Sequence, residues 1–350
     1  MTLSKNIAIV GAGMAALTCA RNLVQAGHRV TVLEKSRGVG GRMATRDSAF
    51  GTFDHGAQYF TVRDARFEQA LQTNPTLCRP WSANTVQVLN AQGQAEEAPP
   101  RVREPHWVPT PGMNALLRDW AAPLRVEVQT RVTALEPDAL NKNQWQLRTT
   151  GAEDSLHVYS GFDAVVLAIP GPQAQALLAP VPQASPLLQK ITPVSVAPCW
   201  TLMLAFPQAM QPDLNTLGPQ WNAARSTHHR IAWLARENSK PGRGAVERWT
   251  VQASADWSQE HINDDAARVQ AKLLKAFAEV TGIHAEPAHT ELHRWLYAKT
   301  VQPLGASHVW DAASGLGICG DWCLGSRVED AFVSGLELAQ AIAKLSNRIG

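Results

Sequence analysis

The chain is short of cysteine and shows no pattern that would use it as a frame. Cys19, Cys78, Cys199, Cys319 and Cys323 are the five, an odd number with no C-x-x-C pair. A disulfide scaffold and a cysteine zinc site are excluded; reduced thiols in a cytoplasmic protein are expected. No basic block stands out and the net charge is only +2, so no nucleic-acid partner is expected. No apolar run reaches the ~18 residues of a short membrane span, so no membrane partner is expected either. The chain enters its first strand within a few residues, with no signal peptide before it. Repeats, low-complexity tracts and a clear acid/base dyad are also lacking.

What is present suits a folded enzyme-sized protein: 350 residues, 45% hydrophobic and 18% charged. That length implies one large domain or two interleaved ones. Twelve tryptophans are many; most belong in the core, and the surplus suits a pocket for a flat ligand.

The chain is organised around residues 7–42. Ile7–Val10 is a short apolar run, as a strand buried on both faces requires. Gly11, Gly13 and Ala16 follow in G-x-G-x-x-A spacing. A helix is predicted from Met14 to about Gln25, ended by Gly27. Val30–Leu33 is the second strand, with Glu34 and Lys35 at its end. This is a βαβ unit carrying a dinucleotide fingerprint. Gly11 permits a tight turn, and Gly13 lets a pyrophosphate approach the backbone. The helix N-terminus, at Met14 and Ala15, offers N–H groups to the phosphates. Glu34 is placed to accept from the adenosine ribose hydroxyls.

A second glycine-rich loop follows at Gly38, Gly40 and Gly41. Arg42 then has the planar fork to grip a pyrophosphate. This addition resembles the FAD-binding start of flavin amine oxidases. Gly56-Ala57 offers backbone with almost no side chain, suited to lie against a flavin ring, followed by Gln58 and Tyr59. His55 reads first as a solvent-facing or capping histidine and second as a polar neighbour of the flavin.

Further on, Arg66–Gln72 is a short predicted helix and Ala98-Pro99-Pro100 a turn. Ala115–Trp120 is a helix, and Leu124–Leu135 reads as one strand. Trp145–Thr149 and Leu156–Tyr159 form a small antiparallel crossover, and Asp163–Pro170 is a buried parallel strand. Val194–Phe206, Ile231–Ala235 and Arg248–Ser254 read as strands, and Asp264–Val280 as an amphipathic helix. His228-His229 is rejected as a metal pair, because neighbours on a strand face opposite sides; no metal is expected. Trp295 and Tyr297, two apart on a strand, form either an aromatic wall or ordinary packing. Gly320-Asp321 ends a strand, and a helix from Val328 follows. Asp321 is placed to accept from a ribityl hydroxyl, and Val328 to present an N–H to the flavin's pyrimidine edge.

GAQYF after GGRM, together with IAWLARENSKPGR (231–243) and HRWLYA (293–298), resembles the bacterial renalase-like branch of the flavin amine oxidase superfamily. The chain departs from that pattern at Lys299 and the TVQPLGAS after it. The resemblance implies an α/β fold of the p-hydroxybenzoate hydroxylase/amine oxidase-like kind. A Rossmann-like FAD-binding domain (1–64, 106–175 and 290–350) would be interleaved with a mixed-sheet substrate domain (65–105 and 176–289). It implies non-covalent FAD, with Cys323 a packed thiol and Val132 near the adenine. It implies an oxidase taking hydride from the 1,2- and 1,6-dihydro isomers of NAD(P)H and passing electrons to O2 to give H2O2. Gln58, Tyr59, Trp233, Trp295 and Tyr297 are the candidates for lining the reaction site. An amine oxidase, with Lys240 or Lys299 as its lysine, and a non-catalytic binding protein on the same fold remain open.

Overall fold

The computed structural model describes residues 4–81, 86–96, 104–210 and 216–346. The turn expected at Ala98–Pro100 lies outside them.

The first sheet has six strands, in the order Val309–Asp311, Leu316–Ile318, Ala164–Leu167, Asn6–Val10, Arg29–Leu33, Arg125–Glu127. All neighbours are parallel except Val309–Asp311. Strand alternation sends Ile7 and Ile9 to one face, against the helices Met14–Gln25 and Val328–Ser346. Ala8 and Val10 point the other way, onto Leu135, Trp145 and Leu147 of a three-stranded antiparallel sheet. Both faces are covered, which is why the strands are apolar throughout.

The second sheet has seven strands, ordered His289–Gln302, Ser195–Phe206, Glu247–Ala253, Ile231–Arg236, Ala223–Ser226, Gln87–Leu89, Ala95–Glu96. It is mixed: Ala223–Ser226 runs parallel to Gln87–Leu89 and the other pairings are antiparallel. Helix Ala266–Thr281 covers its outer face through Val269, Leu273, Phe277 and Val280. Asp265 caps that helix through the Arg268 N–H, and Gly282, at φ +73°, ends it. The inner face roofs the carboxyl ends of the parallel strands, and a cavity lies between.

Several boundaries differ from the sequence reading. Strand His289–Gln302 pairs with Ser195–Phe206, so the division at 290 cuts into the roof sheet. Helix Ala65–Leu71 belongs with the cofactor half, because buried Phe67 stacks on Phe332 at 4.7 Å. The division at 176 falls inside helix Gly171–Leu178, whose Ala174 and Leu178 pack with Val165 and Leu167. The stretch 124–135 is two strands in two sheets, broken at Gln129 with φ 51°. His228 and His229 follow a strand rather than lie on one, and their rings meet at 4.5 Å. Among the described residues no group of three potential ligands could hold a metal ion.

Candidate cofactor and substrate site

The cavity measures about 2460 Å³, against ~300–1,000 Å³ for an ordinary small-molecule pocket. It has room for a dinucleotide and a second flat molecule.

Its cofactor half is built from backbone. Gly11 sits at φ +100°, and a Cβ there would stand 2.6 Å from the Ala168 carbonyl. A Cβ on Gly13 would meet nothing within 4 Å. The helix behind it has no side-chain cap and no acid in its first turn, leaving its N–H groups for an anion. Glu34 is buried and accepts at 2.8 Å from the N–H of Ala12 and of Ser36. Each carboxylate oxygen keeps a lone pair for a ribose hydroxyl.

The second glycine loop lies directly on the first. A Cβ on Gly41 would stand 3.3 Å from the Gly13 Cα, and the Gly40 N–H donates to the Ala12 carbonyl at 3.0 Å. Gly56 is required for a different reason than flavin contact alone: its Cβ would collide with the Arg42 carbonyl at 2.0 Å. The Ala57 N–H donates to that same carbonyl. Arg42 and Asp321, read separately as partners of pyrophosphate and ribityl chain, form a two-pronged ion pair, one prong being 2.9 Å. Met14, Ala15, Lys35, Gly41, Val132, Gly320 and Val328 all line the cavity. The Arg327 N–H at the start of the last helix is held by Asp330, so the open end begins at Val328.

The roof sheet supplies the other half. Cα partners across it run Val88, Arg225, Trp233, Gln252, Thr201, His293. Residues directly opposite share a face. Gln252 touches the floor, its Nε2 donating to the Gly56 carbonyl at 2.7 Å. Trp233 meets Tyr59 at 5.8 Å between ring centres, and Tyr59 meets His106 at 4.0 Å. At the far end Trp295 stacks on His55 at 5.2 Å and donates from Nε1 to its carbonyl. Trp295 and His293 are therefore wall residues, and His55 is buried rather than solvent-facing. Tyr297 also lines the cavity, in a stretch of irregular pairing. Burial, and the neighbouring His293 and Arg46, push His55 down to about 3. Burial and Arg46 push His293 down to about 4. Both imidazoles are neutral at pH 7.

Gln58 lines the cavity, but its amide faces inward. Nε2 donates to the Asp54 and Gly56 carbonyls, and Oε1 accepts from Lys240 at 3.1 Å. Its catalytic assignment is corrected to that of a staple under the floor. Lys240 is fully buried: its Nζ also meets Asp54 at 3.2 Å and Glu237 at 2.9 Å. Arg243 holds Asp54 from another side at 2.7 Å. Burial would raise the Asp54 carboxyl, but Lys240, Arg243 and the Met113 N–H bring it to about 2. Burial raises Glu237, Asp54 adds to this, and Lys240 only partly offsets it. Neither Lys240 nor Cys323 lines the cavity; Lys299 and Cys199 do, with burial pushing the Cys199 thiol up to about 11.

Sequence reasoning missed His293, Gln252, Arg225, Cys199 and the network behind Gln58. The stretches containing His293 and Lys240 stood out only by resemblance.

The family of flavin-containing amine oxidoreductases matches residues 98–343, and an NAD(P)-binding Rossmann-like domain matches residues 9–72. The chain belongs to the flavin-containing amine oxidoreductase family. Its dinucleotide cavity is accordingly an FAD site, which the cradle of Gly11, Gly13, Gly41 and Gly56 fits. The chain is similar to a flavin-containing monooxygenase, FMO GS-OX-like 6, of Arabidopsis thaliana, at 29% identity over 47% of this chain and 34% of that one. It is 61% identical to the L-amino acid oxidase Cdc18 of Crotalus durissus cumanensis over 12% of this chain and 8% of the other. It thus spans about a third or less of the length of these relatives. Two solved structures share the fold: a protein described as a protoporphyrinogen oxidase from Exiguobacterium sp. 255-15 (TM-score 0.77, 13% identity, 99% and 100% covered) and cyclohexylamine oxidase from Brevibacterium oxydans IH-35A (TM-score 0.74, 12%, 98% and 99% covered). No helix among the described residues is long and apolar enough to cross a membrane.

Proposed function

We propose that the chain is a renalase-like FAD-dependent oxidase that takes hydride from the 1,2- and 1,6-dihydro isomers of NAD(P)H, with O2 as electron acceptor and H2O2 as product. Bound non-covalently, FAD would supply the hydride-accepting ring. The observation that carries this reading is the character of the slot beside Gly56-Ala57. It is walled by Tyr59, Trp233 and Trp295 with two neutral imidazoles. The nearest buried lysine is turned away into an ion network. A dihydropyridine becomes aromatic on losing hydride and requires no strong base. The protein's contribution is to stack and orient two flat rings.

The amine oxidase reading is favoured by the family match. Against it stand Arg225 and Lys299, which line the cavity without an ion pair among the described residues and disfavour an alkylammonium. A non-catalytic role is opposed by the complete cradle. The test is anaerobic mixing of yellow holoenzyme with 1,2- and 1,6-dihydro-NAD, NADH and a panel of amines, followed by flavin absorbance. Fast bleaching by an isomer, little by NADH, and peroxide on admitting oxygen are expected. Bleaching by amines alone would replace this reading with the amine oxidase one, and colourless protein would favour the non-catalytic one.

A further inference from the structure

The roof row has a polarity. At one end, His293, His55 and Trp295 form an uncharged ring cluster. Gln252, in the middle, sits over Gly56. Two strands further on stands Arg225, beside Trp233 and on the same face. At ~4.8 Å per strand, Arg225 lies about 10 Å across the sheet from the Gln252 contact. Arg225 lines the cavity and is exposed to it. Three other cations of the lining are engaged, Arg42 by Asp321, Arg46 by Glu291 and Arg63 by Glu104, while Lys299 also lines the cavity outside any ion pair among the described residues. None of the ion pairs among the described residues includes Arg225. The acid in the same row, Glu96, lies beyond Val88, two strand spacings away. Arg294, by contrast, donates to the Ile262 carbonyl and lies over Trp200, on the helix-covered face.

The geometry points to Arg225 as an anion subsite of the substrate pocket, one that takes a phosphate carried by a flat-ring substrate. Trp233 is its directly opposite cross-strand neighbour, and a planar fork suits phosphate oxygens. The inference rests on the reading of the site as one for dihydronicotinamide nucleotides and adds the residue that recognises their charged part. It also gives a physical reason for rejecting amines, because a substrate cation would be drawn in past an unpaired arginine.

Holoenzyme is used for the test, so that the pyrophosphate site of FAD is filled. Two ligand pairs are titrated against flavin absorbance: nicotinamide mononucleotide with nicotinamide riboside, and phenethyl phosphate with phenethyl alcohol. In the native protein the phosphate-bearing member of each pair should bind at least about tenfold more tightly. In Arg225→Gln that preference should vanish with the affinity of the uncharged phenethyl alcohol unmoved, and Arg225→Lys should restore part of it. A phosphate preference that is absent in the native protein, or that survives Arg225→Gln, overturns the proposal. So does failure of both pairs to bind. If the nicotinamide pair leaves the flavin unperturbed while the phenethyl pair behaves as stated, the nicotinamide reading falls and the anion subsite stands.

Discussion

The Lys240 ammonium meets Asp54, Glu237 and the Gln58 amide with its side chain wholly out of solvent. Removing it leaves two carboxyls facing each other in the interior. Lys240→Met should cost about 3–5 kcal/mol of stability, the usual result of stranding a buried charge. Lys240→Met combined with Glu237→Gln should recover part of that. Urea unfolding at saturating FAD measures both, and equal stabilities of native protein and Lys240→Met would put the network outside the fold's energetics. This network was not legible in the sequence. Asp54 and Lys240 are 186 positions apart, and no period or spacing links them. Gly11, Gly13 and Glu34 were legible because their chemistry is local: one turn, one helix start and one strand end fix them all. The Arg42–Asp321 pair lies between these cases. Each residue was expected near the cofactor, but their contact with each other follows from tertiary structure.

At the scale of elements, the first and last helices meet at Gly335. A Cβ there would stand 2.2 Å from the Ala15 carbonyl. Ala15 is in the first turn of the fingerprint helix, whose N–H groups face the pyrophosphate. Gly335 is seven residues into the helix whose start lines the flavin end. Gly335→Ala therefore pushes apart the two helices that hold opposite ends of one ligand. The expected loss is about 1–3 kcal/mol of stability, typical of overpacking, with weaker FAD binding alongside. Calorimetry and flavin fluorescence check the two effects, and unchanged FAD affinity would show that the helices move independently. Helices and strands themselves were legible wherever the apolar period was long, as in Ala266–Thr281 and Ser195–Phe206. The domain divisions were not. Whether strand His289–Gln302 joins one sheet or the other is decided by its partner, Ser195–Phe206, nearly a hundred residues earlier.

Across the whole molecule, acid should dismantle the fold in two stages, and the sign follows from where each group holds its proton. His55 and His293 have folded values near 3 and 4 against 6.5 for the free side chain. Between pH 6.5 and 4 the unfolded chain binds protons that the folded chain refuses. Stability is therefore full above pH 6.5 and falls as pH drops, by up to about 1.4 kcal/mol per pH unit for each histidine. Asp54, with a folded value near 2 against 3.8, contributes above pH 4 and loses that contribution as pH falls toward 2. Glu237 is raised by burial, and runs the other way, gaining relative stability as it protonates. The early stage belongs to the histidine and tryptophan wall, since His55 and His293 meet edge to face at 4.8 Å and both touch Trp295. Protonating either one places a charge against the other's ring and beside Arg46. His55→Gln with His293→Gln removes both titrations while leaving Asp54 and its partners intact. Chemical denaturation at saturating FAD, repeated at steps from pH 7.5 to 4, should show a steep fall for the native protein and a flatter line for the double variant. Parallel lines would mean that these imidazoles titrate alike in both states, and that the wall is open to water rather than sealed beneath the roof.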